Sequence, residues 1–346
     1  MSSNYLDNRL TEQVYNWDGP VSLSIVLLNK TDYHCIIETL KNYINKHPIL
    51  HKYLRVHLMF PSTWSETCQP GFPEVGCNIS RPTSQQIINY PANTARNAAR
   101  MFSTTKYILI ADFEHLFNKG FESSVLKIAQ NILNTGSKRV LVYRIFEVDE
   151  EPKEPETKEE LEKMMKKGKA VVFHGLFLKA HGIPGLDDWF AESETKNGLS
   201  FENISYNRHN WEPQFVSRAD IPMHDVNFPF LARDNTVLRW ELCRAGYQFD
   251  VLSSHFMYHK GIKRKPTKGL QGNVWKFKQA LKSFNTRMDK EYPTTADKCP
   301  KGRCEPKTPK STSLHMLYRS SARPASATEL KVFLKTYRHP CEAVIG

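Results

Sequence analysis

The chain has 346 residues, 40% hydrophobic and 24% charged, a composition that can bury a core and excludes disorder as its main state. Lys and Arg number 48 against 36 Asp and Glu, and the net charge of +12 suits anionic partners such as nucleotide diphosphates. No apolar run reaches the roughly 18 residues needed to span a bilayer, and the opening MSSNYLDNRLTEQ lacks the zones of a signal peptide.

Short apolar runs rich in β-branched residues alternate with helical patterns. Ser22 to Leu28 reads as a buried strand, Tyr33 to Lys46 as a helix and Leu54 to Phe60 as a second strand. A loop with Pro61, Pro70, Gly71, Pro73 and Gly76 follows, then a helix opened by Pro91 at its first position. Tyr107 to Ala111 reads as a strand, Phe121 to Leu133 as a helix and Val140 to Val148 as a strand. Asp149 to Lys169 runs from acidic to basic and reads as a solvated loop with a short helix. Ala170 to Leu178 returns to strand, and Gly182 to Asp225 reads as irregular site-building loops. A helix at Thr236 to Ala245, a strand at Phe249 to Met257 and a helix at Trp275 to Tyr292 complete the series. The alternation predicts an α/β fold with a largely parallel sheet. Beyond Pro300 the composition is that of a flexible basic tail, with a short helix near Ala327 to Tyr337. Six basic residues and only Glu305 as an acid fall between Lys301 and Arg323. Much of the charge excess therefore lies in the tail and is no argument for nucleic-acid binding, which calls for interleaved basic and aromatic residues on strands.

Seven cysteines include no C-x-x-C pair, which argues against a zinc ribbon or a thioredoxin-type site. Cys68/Cys77 and Cys299/Cys304 lie in Pro- and Gly-rich loops where short disulfides fit an oxidising compartment; free thiols fit the spacing as well. Sequons at Asn29, Asn78 and Asn203 are near the chance count and decide little.

Three segments carry chemistry. In YILIADFEH an apolar strand ends at Asp112, with Glu114 two residues on. Strand ends of open α/β sheets point into the ligand crevice. Two carboxylates there can hold Mn²⁺ or Mg²⁺, hard cations that bridge to a diphosphate; the bland reading is an ordinary acidic turn. In NYPANTARNAARMF, the residues Asn93, Arg96, Asn97 and Arg100 share a helix face opposite Ala92, Ala95 and Ala99. That stripe is either solvated or a dense set of directed donors beside the Asp112 strand. In HFMYHKGIKRKP, His259 offers a further metal ligand, while Lys260, Gly261 and Lys263 offer a phosphate-approachable backbone and positive charge. A sheet-edge His with a basic loop is the bland alternative. No P-loop, G-x-G-x-x-G, H-E-x-x-H or G-x-S-x-G is present.

Taken in order, WDGPVSLSIVL, YPANTARNAAR, YILIADFEHLF, WEPQFVSRADIPMHDVNF, LRWELCRAGYQFDVL, HKGIK and FKQALKSFNTRMDKEYP resemble glycosyltransferase family 49 from Trp17 to Cys299. The resemblance implies a GT-A-type nucleotide-sugar sheet with helices around it and a catalytic domain over 17–299; the tail over 300–346 has no counterpart in the family. It also implies inverting transfer of glucuronic acid from a UDP-sugar, UDP-glucuronate, to a glycan or glycoprotein acceptor. Family members are membrane-anchored in the Golgi. Asp112 and Glu114 stand where the family has D-x-D, His259 matches the His of its H-K-G segment, and Asn93, Arg96 and Asn97 match its donor-side helix. Inverting transfer needs a base for the acceptor hydroxyl. Asp225 stands at the family's D-E pair and is the first candidate, Glu212 of W-E-P the second. Trp211 and Trp189 are candidate sugar-stacking platforms. The family's first sheet strand, which touches the nucleotide, precedes W-x-G-P-V-S and is expected to be missing from this fold. That departure and the Glu in D-x-E keep a second function class open, a non-catalytic glycan- or nucleotide-binding relative.

Overall fold

The structure is a computed structural model that describes residues 1, 6–61, 64, 81–150, 153–175, 180–193, 195, 197–264 and 273–302. Cys68, Cys77, Asn78, Cys304, the end of the strand expected to reach Leu178 and the tail lie outside the described residues.

Helix α1 (Asn8–Trp17) begins where the Asp7 carboxylate accepts the Arg9 amide, and it buries Leu10 and Val14 one turn apart. Strands β1 (Val21–Val26) and β2 (Leu54–Met59) pair in parallel, connected through α2 (Asp32–Lys46) and α3 (Pro48–Tyr53). Then come α4 (Ser84–Ile88) and α5 (Ala92–Met101), with Pro91 one place earlier than expected, at the cap. Strands β3 (Tyr107–Leu109) and β4 (Leu116–Phe117), helix α6 (Phe121–Ile132) and strand β5 (Arg139–Val148) follow. The solvated segment contains α7 (Lys158–Lys166), closed by a Thr157/Glu160 capping box, and leads to β6 (Ala170–Val172). The region expected to be irregular holds α8 (Leu186–Ala191), β7 (Leu199–Phe201) and β8 (Gln214–Arg218). Helix α9 (Thr236–Arg244), β9 (Gln248–Lys260) and α10 (Val274–Glu291) complete the order.

The α/β class is as expected, but the sheet is not largely parallel. Among the described residues, seven strands of one sheet run β3-β8-β5-β9-β4, with β6 on β5 and β7 on β9, and only β5–β9 pairs in parallel. Apolar runs reveal that strands exist but not their direction. The strand β8, too short to stand out behind the W-E-P turn, inserts antiparallel between β3 and β5 and reverses the pattern. Strand β5 is buried along nearly its whole length, as a central strand covered on both faces must be.

No described strand pairs with the second edge of β1 or of β3. Between them lies a cavity of about 340 Å³, lined by Ser22, Leu23 and Ser24 on one side and Tyr107, Ile108 and Leu109 on the other. Met1 sits on the β1 edge: its amine donates to the Ser24 carbonyl at 2.7 Å and its carbonyl accepts from the Val26 amide at 2.8 Å. These are the bonds of a residue in a parallel neighbour.

Trp189 and Trp211 are 0% and 1% exposed, with the Trp189 indole N–H donating to the Leu252 carbonyl. Both are core residues, and the sugar-platform expectation is withdrawn. Cys299 bonds to Cys243 across 56 residues, not to its sequence neighbour Cys304. The pairing ties the end of α9 to the segment after α10, a proximity no local spacing encodes.

His255 on β9 is buried with its ring 5.6 Å from that of Phe121, and its Nδ1 has no hydrogen-bond partner among the described residues. Burial lowers its pKa to about 4. The folded value lies below the unfolded one, near 6.5, so this contribution is intact above pH 6.5 and is lost as pH falls towards 4. His255→Leu should therefore unfold at lower pH than the parent, with up to about 3 kcal/mol regained at pH 4. Acid titrations followed by circular dichroism check this; coincident midpoints would place the acid lability elsewhere.

Candidate active site

The D-x-E segment leaves β3 at the rim of the cavity, and Asp112 and Glu114 both line it. Helix α1 holds it in place: the Gln13 side-chain amide donates to the backbone carbonyls of Asp112 (2.7 Å) and His115 (3.0 Å). The Asp112 amide donates to Nδ1 of His115 at 3.2 Å, and the half-exposed Asp112 carboxylate lies 3.9 Å from Nε2 of the same ring. The Glu114 carboxylate is mostly shielded. Its Oε2 accepts from Nη1 of Arg9 at 3.0 Å and faces Nε2 of His259 at 3.9 Å.

His259 reaches this point because β9 pairs in parallel with β5, which sets it beside Glu147 in register. Glu147 is a buried carboxylate that accepts the amides of Lys263 (2.9 Å) and His174 (3.3 Å). The Phe173 ring gathers the neighbouring imidazoles, with centroids 6.1 Å from His259, 5.9 Å from His115, 5.0 Å from His181 and 4.0 Å from His174. Glu114 and His259 thus share one site, and Asp112 shares the cavity. Among the described residues no three such groups stand close enough to hold a metal as placed.

The polar face of α5 is turned to protein, not to solvent. The Asn93 amide donates to the Asp225 carbonyl at 2.8 Å. Asn97 donates to the His224 carbonyl (2.8 Å) and accepts from its amide (2.9 Å). Arg100 donates to the carbonyls of Pro222 and Ile221, each at 2.8 Å, and its burial lowers its pKa to about 10. Arg96 bonds Asn93 Oδ1 at 2.8 Å and the buried Asp234 carboxylate at 2.7 Å, and it also lines the cavity. The helix pins the 219–234 segment, and of the three donor-side candidates Arg96 alone lines that cavity.

Lys260 is committed to Glu12 and Glu154. Gly261 adopts φ +91°, a left-handed conformation that suits glycine, and donates to the Val148 carbonyl at 2.7 Å. Asp225 lies in a second cavity with Glu241 and Arg287. Its Oδ1 accepts from the Asn227 backbone and side chain, each at 2.9 Å, whereas Oδ2 has Arg287 at 3.7 Å. Glu212 has both oxygens engaged, by Asn235 and by Thr236 at 3.0 Å. Burial pushes its pKa up, but His181, Arg239 and these two donors outweigh that and hold it below the usual carboxylate value.

Reading the residues alone overlooks Arg9, Gln13 and Glu147. A signal exists for the first two, since Asp7 ahead of Leu10 and Val14 marks a capped amphipathic helix. Glu147 is a lone acid closing an apolar strand.

The chain is 25% identical over 222 residues to zebrafish (Danio rerio) beta-1,4-glucuronyltransferase 1, covering 61% of this chain and 50% of that one, so it spans half the length of that relative. It is 26% identical over 172 residues to chicken (Gallus gallus) xylosyl- and glucuronyltransferase LARGE1, covering 49% and 22%. Among solved structures, S. aureus TarS 1–349 in complex with UDP-GlcNAc superposes with a TM-score of 0.42 at 13% identity, covering 83% and 64%. A family model described as "Glycosyl-transferase for dystroglycan" matches residues 1–295. The chain therefore belongs to that family, glycosyltransferase family 49.

Proposed function

We propose that the chain is a metal-dependent inverting glycosyltransferase that moves glucuronic acid from UDP-glucuronate to a glycan acceptor. The observation that carries this reading is the placement of Asp112 and Glu114 at a strand end, on one cavity, with Glu114 Oε2 3.9 Å from His259 Nε2. Two donors of one hard cation, each about 2.1 Å away, lie roughly 3–4.2 Å apart, so the pair fits a shared Mn²⁺ or Mg²⁺, with Asp112 as the third donor. When bound, the cation would neutralise charge on the diphosphate leaving group.

The remaining roles fall to the chain's own groups. Arg96, on the same cavity, is assigned to the donor phosphates or sugar, with Asn93 and Asn97 fixing the segment beside it. Gly261 and Lys263, whose amides are taken by Val148 and Glu147, are assigned to shaping the loop beside His259, and Lys260 acts through its acidic partners. Asp225 is proposed as the base ahead of Glu212, because Asp225 lines a cavity with, among the described residues, only Arg287 at 3.7 Å facing its Oδ2, whereas both Glu212 oxygens are engaged. The names of the relatives support glucuronyl transfer. The Cys243–Cys299 disulfide supports an oxidising compartment such as the Golgi lumen. No helix among the described residues is long and apolar enough to cross a membrane.

The test is turnover of a panel of UDP-sugars with and without Mn²⁺. UDP-glucuronate should be consumed fastest, and chelation should stop the reaction. Binding of UDP-glucuronate without turnover would favour a non-catalytic donor-binding protein, and metal-independent turnover would remove the cation from the reading.

A further inference from the structure

Arg9 is held beside Glu114 by contacts of its own. Its Nε lies 2.9 and 3.0 Å from the two Asp7 oxygens, and Nη2 lies 2.6 Å from Oδ2. Its guanidinium carbon sits 4.6 Å from the centre of the Phe113 ring. Asp7 and the ring thus fix the plane from one side and one face, and Nη1 is left to reach Glu114 Oε2 at 3.0 Å. That oxygen is the one that faces His259 Nε2 at 3.9 Å. A guanidinium and a divalent cation therefore have claims on a single atom.

We infer that Arg9 is a displaceable partner of Glu114: it holds the carboxylate in the metal-free state and sets the affinity of the site for a divalent cation. The inference rests on the metal reading of Asp112, Glu114 and His259.

The physical argument has three parts. An arginine stays charged at any working pH, so it leaves Glu114 by displacement and not by losing a proton. Its charge beside the site repels an arriving cation. It is also a stable resting place when displaced, because the Asp7 contacts and the Phe113 stacking do not involve Glu114. In the metal-free state Arg9 partly offsets the negative charge of Asp7, Asp112 and Glu114, which would otherwise repel one another and the diphosphate. Arg9 is a positioning residue in this account, since nothing requires it to touch the sugar.

The experiment measures Mn²⁺ binding, without sugar, by electron paramagnetic resonance of the free ion. Arg9→Met removes the charge and keeps the backbone amide that Asp7 caps, so the helix start is preserved. It should bind Mn²⁺ about tenfold more tightly than the parent, roughly the effect of losing one adjacent like charge. Arg9→Lys, which keeps the charge, should stay near the parent and controls for misfolding. Equal or weaker binding by Arg9→Met overturns the inference. Glu114→Gln separates this from failure of the metal reading itself. If it weakens binding in both backgrounds while Arg9→Met has no effect, the site stands and only the role of Arg9 falls. If it leaves binding unchanged, the site is wrong and the role of Arg9 falls with it.

Discussion

Asp112→Asn is expected to lower sugar transfer about 100-fold while leaving stability within about 0.5 kcal/mol of the parent. On the proposed metal reading, the activity loss follows from removing a formal charge from the cation site at the mouth of the cavity. The intact stability follows from position: the Asp112 side chain is 53% exposed, and the turn is held by backbone bonds from Gln13, which the substitution does not touch. Initial-rate assays with UDP-glucuronate, paired with thermal melts, check both halves. An undiminished rate would remove Asp112 from the site, whereas a melt lowered by many degrees would give it a structural role. The companion Asp225→Asn should abolish transfer to an acceptor and spare UDP-glucuronate binding, because a base acts on the acceptor proton. Undiminished transfer by that variant would move the base to Glu212.

Arg96→Met should cost about 3 kcal/mol or more at pH 7, and less at pH 5. Asp234 is 1% exposed, and the Arg96 guanidinium at 2.7 Å is its charge partner. Removing one member of a buried pair strands the other, which is the costly way to break it. Burial already raises the folded pKa of Asp234, and Arg96 opposes that rise; without Arg96 the value climbs further. A folded pKa above the unfolded one contributes stability that is present at low pH and lost as pH rises through the folded value. The deficit should therefore be greatest at neutral pH and shrink on acidification. Urea denaturation at the two pH values decides it, and an equal deficit at both would mean that Asp234 is not left charged. Arg96 also lines the cavity proposed for the donor, so on that proposal the substitution is expected to weaken UDP-glucuronate binding as well.

Local pattern was enough to identify most of the elements. The helix at 32–46, the strand at 139–148 and the helix at 274–291 follow from hydrophobic period, which burial on one face or on both imposes directly. The same reading located Asp112 and Glu114 at a strand end, and His259 on the last strand, where the parallel β5–β9 register brings it to Glu114. The family resemblance is likewise a property of the order of motifs in the chain, and the match over 1–295 agrees with it. The tertiary structure alone decided what distant segments do to one another. The polar stripe of α5 looked like a ligand face, but most of its donors are spent on carbonyls of residues 221–225, more than 120 positions away. Lys260, which looked free for phosphate, is held by Glu12 and Glu154. Cys299 passed over its near neighbour for Cys243, and β8 reversed the direction of the sheet between β3 and β5. Periodicity records which side of an element meets the core. It carries no record of which remote backbone or charge stands opposite, such as Arg9 beside Glu114 or Glu12 and Glu154 beside Lys260.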